Sequence, residues 1–419
     1  MLVGTRFGGA ALGLLTQILA ARLLSPIDTG TVFLAMSATS ILGLLATLGY
    51  PALTLTSTAR YVALGRQRLL TAFKSLLVYD TVLLSLLLLA SVAAAVTLLP
   101  LQPALRTALI FAALSLFAAN LLRLNSALAN SHRRFALSTT PDFLFRPGLL
   151  FLYLLLAWLL NGSVSVTSVL WAFTASNTVV ALGQWALMGA DGLRVEWRKP
   201  HASFARPLRR RAMALVVVFA VSAAFGDLVT LIGGLFLPAG DVAVLAVAIR
   251  LAALAGFVTQ ALQQLVLPEL AQVLALRDDS EFRRLMLRTN VLALGSIAAL
   301  IAAAMAFGPL ALSLFGPDYA LGHWPLVVFL VGQLFRAGSG LNLHLLSLAG
   351  SQIRTATSCL FAVAILFAAA SLLSPRLGVM GIAWAAVLAD AVWSGLLAYQ
   401  AKLYTGRRGD ILSLAASRR

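Results

Sequence analysis

The chain has 419 residues, of which 61% are hydrophobic and 11% are charged, and its formal net charge is +17. Soluble domains carry roughly 25% charged residues, so this composition indicates a polytopic membrane protein and excludes a cytosolic enzyme or a nucleic-acid-binding module. One cysteine, Cys359, and four scattered histidines predict no disulfide, no metal site and no cofactor.

Apolar stretches separated by polar residues, proline or glycine predict about twelve transmembrane helices. In chain order they cover residues 2–23, 31–50, 73–99, 104–130, 141–161, 166–189, 211–235, 242–266, 289–314, 323–348, 355–373 and 378–402. Turn-forming sequences mark the breaks at Ser25-Pro26, Gly49-Tyr50-Pro51, Pro100 to Pro103, Asn161-Gly162, Pro238-Ala239-Gly240, Gly316-Pro317 and Ser374-Pro375. The predicted fold class is an all-α polytopic membrane protein.

The basic residues predict the orientation of these helices. Of the 31 Lys and Arg residues, 25 lie at the start of the chain, in the even-numbered connections and in the tail, whereas three lie in the odd-numbered connections. Lys and Arg in short loops are retained on the cytoplasmic side, so both termini are predicted to be cytoplasmic. Such loops face the anionic headgroups of membrane lipids, and the net charge therefore needs no nucleic-acid partner.

The longest and most basic connection lies near the middle of the chain, with six predicted helices on each side. The turn Leu24–Asp28 is similar to Leu237–Asp241, which indicates a repeat with two lobes related by an axis along the membrane normal and enclosing a central cavity. Chance recurrence of Pro and Asp in turns is the alternative. The predicted organisation is an N-terminal lobe over 1–189, a basic cytoplasmic linker over 190–210, a C-terminal lobe over 211–402 and a basic cytoplasmic tail over 403–419.

Polar residues inside the predicted spans are candidates for function, because a charge at the bilayer centre costs about 2.5–3.5 kcal/mol on insertion scales. Helical spacing aligns several of them along one face of the first, eighth and tenth helices. The candidates for the substrate cavity are Arg6, Gln17, Arg250, Gln260, Gln264 and Arg336. The candidates for ion coupling are Asp227 and Asp80.

Structural roles are the alternative for several of these residues. Arg250 and Asp227 lie on adjacent spans and can neutralise one another. Arg6 lies near a predicted cytoplasmic end, where an arginine can snorkel to the headgroups. Asp80 and Asp390 can each serve as the structural partner of a buried base.

Motifs spread over nearly the whole chain carry a family resemblance. They are Gln17 to Gly30, Leu48-Gly49-Tyr50-Pro51, Ala248-Ile249-Arg250, Leu267-Pro268-Glu269-Leu270-Ala271, Phe315-Gly316-Pro317-Asp318-Tyr319, Leu348-Ala349-Gly350 and Arg376 to Ala383. In this order they resemble polysaccharide transport proteins of the O-antigen flippase (Wzx-like) type, within the multidrug/oligosaccharidyl-lipid/polysaccharide (MOP) exporter superfamily.

The resemblance implies a secondary transporter with two six-helix lobes, in the bacterial inner membrane. Its expected substrate is an undecaprenyl-diphosphate-linked oligosaccharide, moved from the cytoplasmic to the periplasmic leaflet for cell-surface polysaccharide assembly. The polysaccharide polymerase and the chain-length machinery are the partners it implies. Such a cavity needs cations for the diphosphate, and Arg6 and Arg250 match that need in kind.

Two other transporter classes compete with this interpretation, and all three lack enzyme activity. No lysine follows a glycine, so the chain has no P-loop for ATP hydrolysis. A multidrug or cation exporter on the same fold would need carboxylates in its cavity, whereas the intramembrane set holds four arginines and three aspartates. A major-facilitator porter is expected to carry an acidic residue in its second cytoplasmic connection, and Tyr61 to Arg68 has none.

Overall fold

The computed structural model describes residues 2–189, 201–276 and 278–411, and all regular secondary structure in these ranges is helical. Contacts among its residues divide the chain into two units, Met1–Ala243 and Val244–Arg419. The helices of the first unit are α1 (Leu2–Leu23), α2 (Pro26–Thr47), α3 (Tyr50–Ala63), α4 (Gln67–Leu98), α5 (Pro103–Ser131), α6 (Phe135–Thr140), α7 (Arg146–Asn161), α8 (Val166–Met188), α9 (Ala202–Ser222) and α10 (Phe225–Phe236).

Helix α11 (Ala239–Leu276) starts at the end of the first unit, and the remaining helices belong to the second. They are α12 (Asp279–Ser313), α13 (His323–Gly338), α14 (Asn342–Leu348), α15 (Gln352–Leu377) and α16 (Val379–Thr405). A π-helical segment, Pro141–Phe145, joins α6 to α7, and a 3₁₀ turn, Pro317–Gly322, precedes α13.

Ten helical stretches of the described residues are long and apolar enough to cross a membrane. The bent pair α9 and α10, with 76° between its halves, makes an eleventh candidate, and the shorter apolar stretch Gly8–Leu23 coincides with the predicted first span. These helices confirm the prediction of an all-α polytopic membrane protein.

Turn chemistry begins and ends many of these helices where the sequence predicts it. The Ser25 hydroxyl accepts from the Asp28 N–H at the start of α2, with Pro26 in the first helical position. Helices α7 and α16 end at glycines with left-handed φ, Gly162 (65°) and Gly406 (69°). Local sequence therefore contributes directly to each of these helix ends.

Other boundaries differ from the prediction. The predicted break at Ser374-Pro375 is wrong, because α15 continues to Leu377 and ends at Gly378, whose N–H donates to the Ser374 carbonyl oxygen at 2.8 Å. The predicted seventh span begins earlier, at Ala202, and bends after Ser222. Within the predicted linker, residues 190–200 lie outside the described residues.

The predicted tenth span is interrupted. Helix α13 ends at Gly338 and α14 begins at Asn342, with Gly340 between them at φ 58°. This conformation costs glycine little and other residues much more, so the break depends on Gly340. The stretch contains no proline and has apolar residues on both sides of Gly338-Ser339-Gly340, which is why its average hydrophobicity predicts a continuous helix.

In the first unit, the two turns that resemble each other lie in contact. A Cβ atom on Gly30, near the start of α2, would collide with the Ala239 carbonyl oxygen. A Cβ atom on Gly240 would lie 3.9 Å from the Ile27 side chain. Glycine at position 30 is therefore required by the close approach of two backbones.

Candidate functional site

Helix α11 carries the eighth-helix polar face predicted from the sequence. Arg250 is half-buried, and its Nη1 donates to the Ala246 carbonyl oxygen of the same helix at 3.3 Å. Gln260 and Gln264, one turn apart, are both exposed on that helix. The neighbouring Gln263 is half-buried, and its Nε2 donates to the Gly340 carbonyl oxygen at 3.1 Å. Through Gln263, one side of α11 thus packs against the second unit, whereas the side chains of Gln260 and Gln264 are not covered by other described residues of that unit.

Arg336 lies in α13 and pairs with an acid on α16. Its Nε donates to Asp390 Oδ1 at 2.7 Å, and its guanidinium lies 5.0 Å from the ring centroid of Trp393. The other oxygen, Oδ2, would lie 3.0 Å from a Cβ on Gly332, so the glycine makes room for the carboxylate. Arg336, a cavity candidate from the sequence, therefore already has a carboxylate and an aromatic ring as partners.

In the first unit, Asp80 on α4 is buried and bound by two residues distant in sequence. Arg209 on α9 donates from Nε to Oδ2 at 2.8 Å and from Nη2 to Oδ1 at 2.6 Å. The Tyr50 hydroxyl donates to Oδ2 as well. This bidentate, charge-assisted arrangement joins three helices at one carboxylate.

A second polar group of the first unit surrounds Arg123 on α5. Its Nη2 donates to the Ser40 carbonyl oxygen at 3.0 Å, and Ser37, one turn earlier on α2, donates to Asp227 Oδ1 at 2.9 Å. A Cβ on Gly43 would lie 3.5 Å from the Arg123 guanidinium carbon, so the group packs against bare backbone. Asp227, an ion-coupling candidate, therefore has a hydroxyl partner in its own unit.

The π-helical segment adds an ion pair that the sequence analysis missed. Arg146 Nη2 lies 2.9 Å from Asp142 Oδ1, and both side chains are about one-third exposed. Asp142 and Asp227 attract the Arg123 charge, and Arg146 repels it. These four residues form one electrostatic group in the first unit, and π-helical segments are frequent at functional sites.

The first-helix candidates are only partly described. Gln17 is half-buried in α1. Arg6 belongs to α1, but its side chain lies outside the described residues. Gly9 packs closely on the π-helical segment, since its Cβ would lie 2.5 Å from the Phe143 carbonyl oxygen, whereas a Cβ on Gly13 meets no atom within 4 Å.

Sequence analysis does not predict which residues bind the charged candidates Asp80 and Arg336. Arg209 lies just before the predicted seventh span, but three consecutive arginines from 209 to 211 on a helix point in different directions, so that one can face inward. Tyr50 and Trp393 carry no sequence signal of their ion-pair roles. Arg146 lies in the predicted fifth span, and the structure places it in the helical stretch Phe135–Leu160.

Comparison with solved structures identifies proteins that share the fold of this chain. No protein-family model and no curated protein matches the sequence. An inward-facing multidrug resistance MATE family transporter of the MOP superfamily aligns with a TM-score of 0.72 and 16% identity, over 98% of this chain and 96% of that chain. The lipid II flippase MurJ, in an inward closed conformation, aligns with a TM-score of 0.67 and 15% identity, over 96% and 87%. A eukaryotic MATE transporter aligns with a TM-score of 0.59 and 16% identity, over 100% and 97%.

The chain therefore has the fold shared by MATE transporters and MurJ, over nearly its whole length. The MOP superfamily, to which the sequence motifs are similar, includes the multidrug resistance transporter of the first alignment.

Proposed function

We propose that the chain is a secondary transporter that moves an undecaprenyl-diphosphate-linked oligosaccharide across the bacterial inner membrane, from the cytoplasmic to the periplasmic leaflet. The observation that carries the proposal is the fold, which the chain shares over 96% of its length with a lipid II flippase. The ordered Wzx-like motifs support the choice of an oligosaccharide for surface polysaccharide assembly. The polysaccharide polymerase and chain-length machinery are the partners this role implies.

The charges of the described residues support an anionic substrate. Asp80 and Asp390 are each ion-paired with an arginine, and Asp227 accepts a hydrogen bond from Ser37. A carboxylate held in this way is a poor ligand for an organic cation, because binding would first break the existing pair.

Arg250 is our proposed contact for the diphosphate. Its position on α11 is in line with Gln260 and Gln264, whose amides suit sugar hydroxyl groups. A guanidinium is permanently charged and offers a two-pronged donor to phosphate oxygens. Arg336, in the same unit, is a further proposed contact for the substrate, and Arg6 and Gln17 are the proposed substrate contacts of the first unit.

A multidrug exporter is the second candidate function. It is favoured by one observation, the higher TM-score with the MATE transporter, 0.72 against 0.67 for the flippase. The two functions differ in the charge of the substrate, so a direct comparison of an anionic lipid with organic cations separates them.

Energy coupling is proposed to come from an ion gradient or the membrane potential, with Asp227 as the first candidate and Asp80 as the second. Translocation in vesicles should then respond to ionophores and not to ATP depletion at fixed gradients. Unchanged rates after collapse of all gradients would remove this part of the proposal.

The orientation is proposed from the basic residues, with both termini in the cytoplasm. Ser203 is exposed near the start of α9, so a cysteine there should react with a membrane-impermeant reagent only from the cytoplasmic side. Labelling from the periplasm would contradict this topology.

The role of Arg250 is tested by substitution in membranes with quantified protein levels. Arg250→Ala should abolish translocation of the lipid-linked oligosaccharide, and Arg250→Lys should restore it only in part, because the two-pronged geometry is lost. Arg106→Ala, which removes an exposed arginine of α5, is the matched control and should keep the parent rate. Full translocation by Arg250→Ala at normal abundance would contradict the proposed contact.

A further inference from the structure

A polar notch lies at the break between α13 and α14 in the second unit. We define the notch by Asn290 on α12, Gly340 and Leu341 in the break, and Asn342 and Leu345 on α14. An interrupted helix exposes backbone groups that need new partners. The Gly340 carbonyl oxygen finds one in Gln263 of α11, at 3.1 Å.

The residues that follow α16 fill this notch. The Gly409 N–H donates to Asn342 Oδ1 at 2.7 Å, and Asn290 Nδ2 donates to the Gly409 carbonyl oxygen at 3.0 Å. Asn342 Nδ2 also donates to Asp410 Oδ2 at 3.4 Å. Both groups of the Gly409 backbone are thus bound by asparagine side chains, and the first part of the predicted tail is packed into the unit.

The close approach requires glycine at position 340 and leaves little room for a side chain at position 409. A Cβ on Gly409 would lie 3.2 Å from Leu345 Cδ1 and 3.3 Å from the Asn342 backbone nitrogen. A Cβ on Gly340 would collide with the Gly409 carbonyl oxygen and lie 2.5 Å from Asn290 Oδ1. The two backbones therefore meet without side chains between them.

Charged residues on either side of Gly409 hold the segment in place. Arg408 donates to both oxygens of Asp410, at 2.8 and 3.1 Å, and the Asp410 side chain is only 5% exposed. Arg407 pairs with Asp279 at the start of α12 and lies 5.2 Å from the Phe282 ring centroid. The segment thereby joins α12, α14 and the end of α16.

We infer that Arg407–Asp410 is a releasable clasp that holds the α13–α14 break in one arrangement. None of its four residues has a large apolar side chain, so polar bonds, whose net contribution is modest, hold it in the notch. The notch is also bonded to α11 through Gln263, next to Gln264 of the polar face. Opening of the clasp therefore removes a support of the backbone to which this part of α11 is bonded. Its effect on transport rests on the proposed function, whereas its docking does not.

Docking is tested by the reactivity of a cysteine beneath the clasp. Leu341 is fully buried, so Leu341→Cys in a Cys359→Ala background should react slowly with a maleimide. Adding Asn342→Ala removes the bond to the Gly409 N–H and should speed the reaction at least tenfold. Asn120→Ala, which removes a buried asparagine bonded to Ser85 in the first unit, is the matched control and should leave the rate unchanged. Rapid labelling of Leu341→Cys alone, or no acceleration by Asn342→Ala, would overturn the clasp.

Release is tested by locking the clasp. Leu345→Cys removes the atom nearest to position 409, so that Gly409→Cys can fit and form a disulfide with it in the Cys359→Ala background. We expect the oxidised protein to translocate lipid-linked oligosaccharide at least tenfold more slowly, and a reductant to restore the rate. No disulfide under oxidation, or a complete disulfide with an unchanged rate, would overturn the inference. If the Cys359→Ala parent itself moves no lipid-linked oligosaccharide, the proposed function fails. The clasp is then judged by the maleimide experiment alone.

Discussion

Each unit of the chain buries an aspartate against an arginine, but the two pairs differ in how far the arginine is removed from water. In the first unit the side chain of Arg209 is 41% exposed while that of Asp80 is 5% exposed. In the second unit both partners are largely removed from water: the Arg336 side chain is 15% exposed and the Asp390 side chain is 5% exposed. The Arg209–Asp80 ion pair therefore lies at the surface of the first unit on its arginine side, whereas the Arg336–Asp390 ion pair lies inside the second unit.

The surroundings of the two pairs explain this difference. Helix α9 begins with exposed basic residues and is fastened to the first unit by Arg209 and by a hydrogen bond from the Gly49 N–H to the Ala212 carbonyl oxygen at 3.1 Å. In the second unit the Arg336 guanidinium lies against Trp393, and its side chain is 15% exposed, against 41% for Arg209. An arginine that can turn to water tolerates loss of its acid better than one that cannot.

The largest loss of stability is expected from breaking the Arg336–Asp390 pair of the second unit. Arg336→Ala should lower the free energy of unfolding by about 3–5 kcal/mol, because it leaves the buried Asp390 carboxylate without its counter-charge. Thermal unfolding in detergent, with Arg106→Ala as the control, measures the loss. The double change Arg336→Met with Asp390→Leu should recover most of it, since apolar residues of similar volume replace buried pairs well. A single variant as stable as the parent would contradict the role of this pair in the core.

In the first unit the two single changes should differ from each other. Arg209→Ala should cost about 3 kcal/mol, because Asp80 stays buried with Tyr50 as its remaining partner. Asp80→Ala should cost only about 1–3 kcal/mol, because Arg209 can turn to solvent and the main loss is the unpaired Tyr50 hydroxyl. Equal losses for the two variants, measured in the same unfolding assay, would show that exposure of Arg209 does not matter.

The glycines beside the two pairs give a smaller effect. Gly49→Ala would place a methyl group 2.6 Å from the Ala212 carbonyl oxygen, so α9 must shift, at a cost of about 1–3 kcal/mol. Gly332→Ala would place a methyl group 3.0 Å from Asp390 Oδ2 and 3.6 Å from Val387 Cγ2, contacts with side chains and not with backbone, and should cost less. Gly13→Ala, with no atom within 4 Å of the new methyl group, is the control and should be neutral or stabilising. Reversal of the order of Gly49 and Gly332 would mean that α9 is held loosely.

The smallest effect on stability is expected from Asp278, whose exposed carboxylate caps α12. The pKa of Asp278, which caps α12, is held below its usual range by hydrogen bonds from the Glu281 N–H and from the Ser280 hydroxyl and N–H. A lowered pKa in the folded state means that the stabilisation is complete above the unfolded value of about 3.9 and is lost as the pH falls through the folded value. The difference in stability between the parent and Asp278→Ala should therefore vanish in acid. A difference that persists at pH 2 would contradict the capping role.

The sequence predicts the helices well where hydrophobicity and turn chemistry agree. Ser25-Pro26 and Asn161-Gly162 mark helix ends because they act on nearby backbone: the Ser25 hydroxyl accepts from the Asp28 N–H, and Gly162 adopts a left-handed φ. The break at Gly340 is not predictable in this way, since it is stabilised by Gln263 and by the segment around Gly409, which are distant in sequence. Helix α9 begins before its predicted span because its first half is basic and its helical pattern is hidden by charge.

The candidate site was predictable only in part. Intramembrane charge identifies Asp80, Arg336 and Asp227, because a charge in a span needs a reason to be there. The residues that bind them are brought close only by tertiary folding, since Arg209 lies 129 residues from Asp80 in sequence and Ser37 lies 190 residues from Asp227. Sequence periodicity assigns a residue to a helix face and does not say which helix faces it.

The proposed function is tested most directly by purified protein in liposomes that contain a labelled undecaprenyl-diphosphate-linked oligosaccharide, with an organic cation offered in parallel. We predict gradient-dependent movement of the lipid-linked sugar that Arg250→Ala abolishes and Arg106→Ala preserves, and no movement of the cation. Transport of the cation with a static lipid-linked sugar would contradict the proposal and assign the chain to the multidrug exporters.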